Sequence, residues 1–347
     1  MGFISDQLIK WHKTSGRHNL PWQNTQDPYI IWLSEIMLQQ TQVSTVLNYF
    51  NKFIKRFPNI NTLANAKEER VLELWSGLGY YARARNLHKT AIVVSKNYNN
   101  KFPSSFDTLL SLPGIGRSTA GAISAFAFRK NKPILDGNVK RVFTRYFGIK
   151  EWSGKVSVEK KLWEIAEINL PKTNTHVHIY TQALMDLGAT ICKRSQPLCN
   201  DCPLQVKCIS FEKNLTKEIP VSKPKKYLPT NEIYLLIINS NDSYLFKKKP
   251  SKGVWAGLWS MPEIENFKSS SNWLKENLNE DNYQTIKMGE HKTSFSHYKL
   301  NIYFQYILLK STMPRKIINY KWINKRNLQN TALPSPINKI LSSLENG

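Results

Sequence analysis

One carboxyl group of this chain stands where its proton matters. Glu35 lies in Ile31-Trp32-Leu33-Ser34-Glu35-Ile36-Met37-Leu38, and helical spacing groups it with Ile31, Ser34 and Leu38 on one face. Desolvation disfavours the anion there, so the carboxyl tends to stay protonated, as a general acid must. Most glutamates are instead partly exposed, which would remove that property. Asp136 precedes Gly137-Asn138 and the helical pattern Val139-Lys140-Arg141-Val142-Phe143, the place of an N-cap that holds free amides of the first turn.

Two further motifs could bind ligands. In Leu112-Pro113-Gly114-Ile115-Gly116-Arg117-Ser118-Thr119-Ala120, Pro113 stops one helix, while Gly114 and Gly116 can take positive φ and leave amides uncovered at the start of the next. Such a turn can seat a phosphate, or it can simply join two helices. Cys192, Cys199, Cys202 and Cys208 are the only cysteines, spaced x6, x2 and x5. Four thiolates in so short a span hold either zinc or an iron-sulfur cluster, and a disulfide framework is disfavoured.

These residues need scaffolding, and the chain up to about residue 210 reads as all-α. Apolar spacing predicts helices near 3–12, 31–41, 44–56, 67–75, 156–168 and 175–187, with a further helix rich in small residues after Ser118 that a neighbour can approach closely. Asp27-Pro28 reads as loop. Gln39, Gln40, Thr41 and Gln42 crowd one helix end, where amides and hydroxyls can read base edges or merely terminate the helix. Gly77-Leu78-Gly79-Tyr80-Tyr81-Ala82-Arg83 combines glycines, bulky side chains and arginine, the composition of a wedge for a base stack, although an aromatic pair also suits a core. Residues 212–229 form a basic linker. Beyond it, strands near 233–238, 244–247, 300–309 and 317–323 and helices near 271–278 and 336–344 predict an α+β domain.

Charge points to a polyanion. There are 49 Lys and Arg against 25 Asp and Glu, a formal charge of +24, and phosphate contacts exchange such charge for released counterions. Met1 to Ile9 lack a basic leader and apolar run, and the longest apolar stretch, Ile233 to Ile238, is far short of the ~20 residues that span a bilayer. A cytoplasmic, nucleoid-associated monomer is the expectation, without a membrane partner.

Together these motifs resemble the helix-hairpin-helix DNA glycosylase superfamily, and within it the adenine DNA glycosylases of the MutY type. The resemblance covers nearly the whole chain and is strongest at 33–42, 77–86, the hairpin, Leu135 to Val139 and the cysteine loop. It implies two domains: an all-α glycosylase domain over 1–211 with a 4Fe-4S loop at 192–208, and a Nudix-like 8-oxoguanine-recognition domain over 230–347. The segment Gly257-Leu258-Trp259-Ser260-Met261-Pro262-Glu263 resembles the opening of a Nudix fold, but an acidic magnesium-binding helix does not follow it. The substrate implied is duplex DNA with adenine opposite 8-oxoguanine or guanine.

The resemblance also assigns roles. Glu35 is the acid, Asp136 the anion facing the sugar and Asn138 its neighbour. Trp22, Gln23 and Gln182 surround the extruded adenine. Gln40, Thr41, Leu78 and Tyr80 lie about the oxidised guanine, which Phe295, Ser296 and His297 reach from the second domain. Gly114, Gly116, Ser118 and Lys140 lie along the DNA. Thr293 stands where the family often has histidine, a departure in the same segment.

Adenine is a poor anionic leaving group, so its departure needs protonation of the base while positive charge grows on the sugar. A neutral Glu35 and an ionised Asp136 fit those two tasks, with helix amides expected to keep the Asp136 pKa low. Ser118 replaces the lysine of endonuclease III-type lyases, so strand cleavage is not expected beyond an adventitious Schiff base at Lys140. The competing readings are such a lyase acting on oxidised pyrimidines, and a non-catalytic DNA-damage binding protein.

Overall fold

The computed structural model describes residues 2–224, 227–250, 252–295, 297–310 and 317–345. Fourteen α-helices are present among these residues: α1 Phe3–Ser15, α2 Pro28–Leu38, α3 Val43–Arg56, α4 Ile60–Ala64, α5 Glu68–Leu74, α6 Ala82–Asn97, α7 Phe106–Ser111, α8 Arg117–Phe128, α9 Gly137–Tyr146, α10 Val156–Ile168, α11 Val177–Asp186, α12 Ile209–Glu212, α13 Ser270–Leu278 and α14 Ser335–Glu345. The strands are β1 Thr230–Ser240, β2 Ser243–Lys248, β3 Trp259–Ser260, β4 Glu263–Ile264, β5 Tyr283–Ser294, β6 Lys299–Leu309 and β7 Tyr320–Asn324. The chain divides into two compact units, Met1–Asn65 with Asn86–Lys225, and Ala66–Arg85 with Lys226–Gly347. Thus α5 and the glycine loop after it group with the sheet, a partition that linear spacing does not announce.

The first unit is helical, as expected. Asp27-Pro28 opens α2 and is not a free loop: the Asp27 side chain accepts the Tyr29 N–H at 2.9 Å, and Pro28 occupies the first turn, where a missing N–H costs nothing. That start sets the phase that brings Glu35 inward one turn before the helix ends. In α8, Ala120, Ala122, Ile123 and Ala125 are buried, and a Cβ on Gly121 would run into the Pro133 carbonyl. The small residues therefore admit the chain segment that delivers Asp136. Ser118 strengthens the same contact, its Oγ accepting the Leu135 N–H at 3.1 Å.

The second unit is built on a mixed seven-stranded sheet in the order β3-β2-β1-β6-β5, with β4 on β1 and β7 on β2. The β1 and β6 pair is parallel and the other pairs are antiparallel. Asn241 and Asp242, at φ 44° and 58°, make the left-handed two-residue turn of the β1–β2 hairpin. The long strand β5 was not expected. It pairs along its length with β6 but fully buries no side chain and exposes most of them, so no alternation of apolar residues marks it. The last strand begins at Tyr320 rather than Ile317.

Candidate active site

Trp22, Gln23, Glu35 and Gln182 line one cavity of about 300 Å³ in the first unit. That is the lower end of the size range of small-ligand clefts. Trp22 is also a core residue, 7% exposed and edge-on to Phe50 at 5.2 Å, so its role as wall rests on rigid packing. Gln23 is fixed by the turn it belongs to, its Oε1 accepting the Leu20 N–H at 3.1 Å.

Glu35 is part-buried at this wall, and burial, followed by the charge of Asp136, pushes its carboxyl up to about 8. It therefore holds a proton at neutral pH. Asp136 caps α9, its Oδ1 accepting the Val139 N–H at 2.8 Å. Its pKa is raised, contrary to expectation: desolvation outweighs the amides of Val139 and Asn138 and the charges of Arg141 and Lys140. The capping reading of Asp136 holds, and the charge of the same carboxyl adds to the burial that raises Glu35.

Sequence reasoning missed the support behind Gln182. Asp186 is fully buried and receives Arg17 Nε and Nη2 at 2.8 and 2.6 Å, the Arg17 N–H at 2.8 Å and the Gln182 Nε2 at 2.9 Å. His12 Nε2 lies 3.2 Å from its second oxygen. Burial opposes ionisation of Asp186, but these bonds and charges prevail and lower its pKa. With its Nε2 committed, Gln182 keeps its Oε1 as an acceptor at the cavity. His178 lines the same cavity, and burial, then the nearby Arg129, hold its pKa down to about 4, so it is neutral. A residue one turn before Gln182 on α11 could have been found by that spacing; the Arg17–Asp186 pair spans 169 positions and left no local signal.

The hairpin runs from α7 to α8. Gly114 takes φ 78°, and a Cβ there would meet that of Asn86 at 2.8 Å. Gly116 corrects the expectation of positive φ: it is extended at φ −86° and caps α8. Lys140 pairs with Glu159 at 2.7 Å. Gln40 is exposed just past α2 at φ 56°, and the Thr41 hydroxyl donates to the Gln39 carbonyl at 3.3 Å.

Helix α9 also carries the cysteine loop. Cys192, Cys199, Cys202 and Cys208 line a single recess, although among the described residues no group of three His, Cys, Asp or Glu side chains is placed to hold a lone ion. Burial pushes the Cys202 thiol up to about 12 and raises Cys199 and Cys208, with the neighbouring thiols adding to it. A donor set of this kind calls for cationic charge at its centre, and the four residues fit a metal cluster. Buried Arg145 clamps the loop, donating to the carbonyls of Lys193, Arg194, Thr216 and Ile219 and, at 3.4 Å, to Cys192 Sγ. Arg141 bonds the Cys192 carbonyl at 2.7 Å and Asn138 Oδ1 at 2.8 Å. A π-helical turn, Leu187–Ile191, leads into Cys192, and a Cβ on its Gly188 would meet the Asn138 Cβ at 2.5 Å.

In the second unit, Leu78 is 6% exposed and Tyr80 is 56% exposed. Gly77, Gly79 and Tyr80 take φ 97°, 72° and 47°, so the loop turns its leucine in and its tyrosine out. Phe295 and His297 lie in the β5–β6 connection, each against Tyr298 with ring centroids 4.8 and 4.7 Å away. Ser296 lies outside the described residues.

The helical unit, its glycine hairpin and its pair of carboxyls define the class: the chain is a helix-hairpin-helix base-excision DNA-repair protein. The family described as HhH-GPD superfamily base excision DNA repair protein matches residues 33–167, and a NUDIX domain matches 233–343. The adenine DNA glycosylase of Buchnera aphidicola subsp. Acyrthosiphon pisum (strain APS) is 40% identical, over 99% of this chain and 98% of its own. The chain belongs to the adenine DNA glycosylase family. Among solved structures, a thermostable thymine-DNA glycosylase is similar at TM-score 0.55 and 30% identity, over 60% of this chain and 95% of that one. Endonuclease III from a non-covalent DNA complex shares the fold at TM-score 0.51 and 22% identity, over 62% and 96%.

Proposed function

We propose that this enzyme removes adenine mispaired with 8-oxoguanine or guanine in double-stranded DNA. The observation that carries this reading is Glu35, a carboxyl with a pKa of about 8 at the wall of a ligand-sized cavity shared with Trp22, Gln23 and Gln182. The adenine nucleotide is flipped out of the stack, which is least costly at a mispair. Its base enters between these side chains, the Gln182 carbonyl oxygen accepts from the exocyclic amine, and Glu35 protonates a ring nitrogen.

Asp136 stabilises the positive charge that then grows on the sugar, or bonds to it briefly, until water adds to the same sugar carbon, loses a proton and leaves an abasic site. Its N–H bond from Val139 and the charges of Arg141 and Lys140 favour the ionised form against burial. Asn138 holds Arg141 beside it. Tyr80 fills the gap left by the base, with Gln40 and Thr41 about the opposite guanine and Phe295, Ser296 and His297 contacting its oxidised edge; Leu78, expected beside them, is turned inward and is left out of that contact. The hairpin at Gly114 and Gly116 grips a phosphate. Ser118 supports monofunctional chemistry, because its hydroxyl is already engaged by Leu135.

The four cysteines hold one 4Fe-4S cluster, whose charge balances their thiolates and whose loop stays ordered through Arg145. The enzyme acts as a monomer in the cytoplasm, at the nucleoid, with residues 212–229 joining a glycosylase domain to a lesion-reading domain. Among the described residues no helix is long and apolar enough to cross a membrane.

Single-turnover release from duplexes with adenine opposite 8-oxoguanine, guanine or thymine, read with and without alkali, tests the proposal. Product only after alkali and only from the mispairs is the expected result. Nicking without alkali would replace it with a lyase, and binding without release with a non-catalytic reader.

A further inference from the structure

Helix α5 and the glycine loop after it, which presents Tyr80, are fastened at both ends to a segment whose sequence resembles the opening of a Nudix fold and which the proposed chemistry leaves without a task. Trp259 Nε1 donates to Glu69 Oε1 at 2.7 Å, and Lys248 Nζ pairs with the same oxygen at 3.0 Å while lying 4.8 Å from the Trp259 ring. At the other end of the loop, Arg85 Nη1 donates to the Ala256 carbonyl at 2.7 Å, and the Tyr81 hydroxyl donates to the Leu333 carbonyl at 2.8 Å. Gly253, Trp255 and Gly257 take φ 95°, 58° and 75°, so a run of left-handed residues turns this segment. All these contacts lie within the second unit.

Between the two fastenings the loop is strained and braced. An aromatic residue at φ 47° persists only where its surroundings overdetermine it. Arg83 supplies part of that bracing, donating to the carbonyls of Leu78 and Gly79 at 3.2 Å and lying 5.3 Å from the Trp75 ring and 5.6 Å from Tyr80. Trp75 Nε1 bonds the Gly79 carbonyl at 3.1 Å.

We infer that residues 253–259 form the seat of the wedge: Trp259 and the Ala256 carbonyl, through Glu69 and Arg85, are positioning groups that hold Tyr80 poised for insertion. The inference rests on the wedge reading of Tyr80 given above. It also links two tasks, because the β5–β6 connection proposed to contact the oxidised guanine belongs to the same unit.

The test uses the full chain and four proteins: wild type, Trp259→Phe, Tyr80→Ala and the double variant. Each is assayed on an adenine stacked opposite 8-oxoguanine and on an adenine in an unpaired bulge, which has no partner to leave and is cheaper to extrude. A 2-aminopurine beside the target adenine reports unstacking without requiring base release, so it reads the seat even if the proposed chemistry fails in the wild type. Expected for Trp259→Phe is unstacking and release about tenfold slower on the stacked substrate, the order of one bond to a charged group. On the bulge the loss should be about twofold or less, and the double variant should be no slower than Tyr80→Ala. Equal loss on both substrates, additive losses in the double variant, or unchanged unstacking would overturn the inference. Should Trp259→Phe fail to fold, Glu69→Gln, which keeps an acceptor for Trp259 but not the charge, is read by the same criteria.

Discussion

The cavity of the first unit and the glycine loop of the second depart from ordinary behaviour by opposite means. At the cavity the departure from ordinary behaviour is electrostatic: Glu35 keeps a proton that water would take, in a backbone that is regular α-helix. At the loop it is conformational: Tyr80 is exposed and carries a left-handed φ. A charged form can be suppressed by packing alone, whereas an aromatic ring can be held in solvent only by backbone that cannot relax. The two regions therefore should respond to different insults.

The sharpest separation comes from Glu35→Gln. Release of adenine should fall by about 10²–10⁴ in single turnover, while affinity for the mispaired duplex in a binding assay changes little. Substantial residual turnover would remove Glu35 from its role. Next in size is Arg145→Met, which strips the cysteine loop of its clamp. We expect a loss of about 3 kcal/mol in denaturant unfolding and weaker retention of iron in the visible spectrum. Stability unchanged by that substitution would show that the loop is held in another way.

Acidity gives a third contrast. The proposed acid works only when protonated, so with Glu35 in that role kcat/KM on the mispair should be flat as pH approaches about 8 and then fall about tenfold per pH unit. The same raised pKa bears on stability. The native chain holds a proton that the unfolded chain releases above its ordinary value of 4.5, so this contribution is full below 4.5 and is lost as pH rises towards about 8. Glu35→Gln lacks the loss and should unfold later by about 1–3 kcal/mol at neutral pH, with the gap shrinking towards pH 5.

Smallest is Tyr80→Gly. Relief of the left-handed φ should stabilise by ~1 kcal/mol, against a slower release from stacked duplex. A destabilised variant would mean that the ring packs more than its exposure suggests.

What could be read from the sequence follows the same divide. Glu35 was identifiable because a helical face carries a local signal, whereas Trp22, Gln23 and Gln182 came only from the family resemblance; the structure gathers all four at one cavity. Arg17 lines that cavity and Asp186 holds Gln182 from behind it, but an ion pair between distant residues has no signature in either neighbourhood. The elevated Asp136 pKa was missed for a related reason: an N-cap pattern reveals the amides, not the depth at which they lie. Leu78 and Tyr80 looked alike as wedge candidates until backbone dihedrals turned one in and the other out. Strand β5 stayed hidden because it buries almost nothing.

The π-helical turn at Leu187–Ile191 sets the angular phase of the first cysteine. It winds an additional residue into the helix just before Cys192, and its Gly188 rests against Asn138. Were the same five residues wound as regular α-helix, all that follows would be turned further round by roughly one residue's share of a turn, about 100°, and Cys192 would leave the recess it shares with the other cysteines. The wider turn is thus a compass bearing for the first cysteine, and the helix bearing Asp136 and Asn138 is what it is measured against.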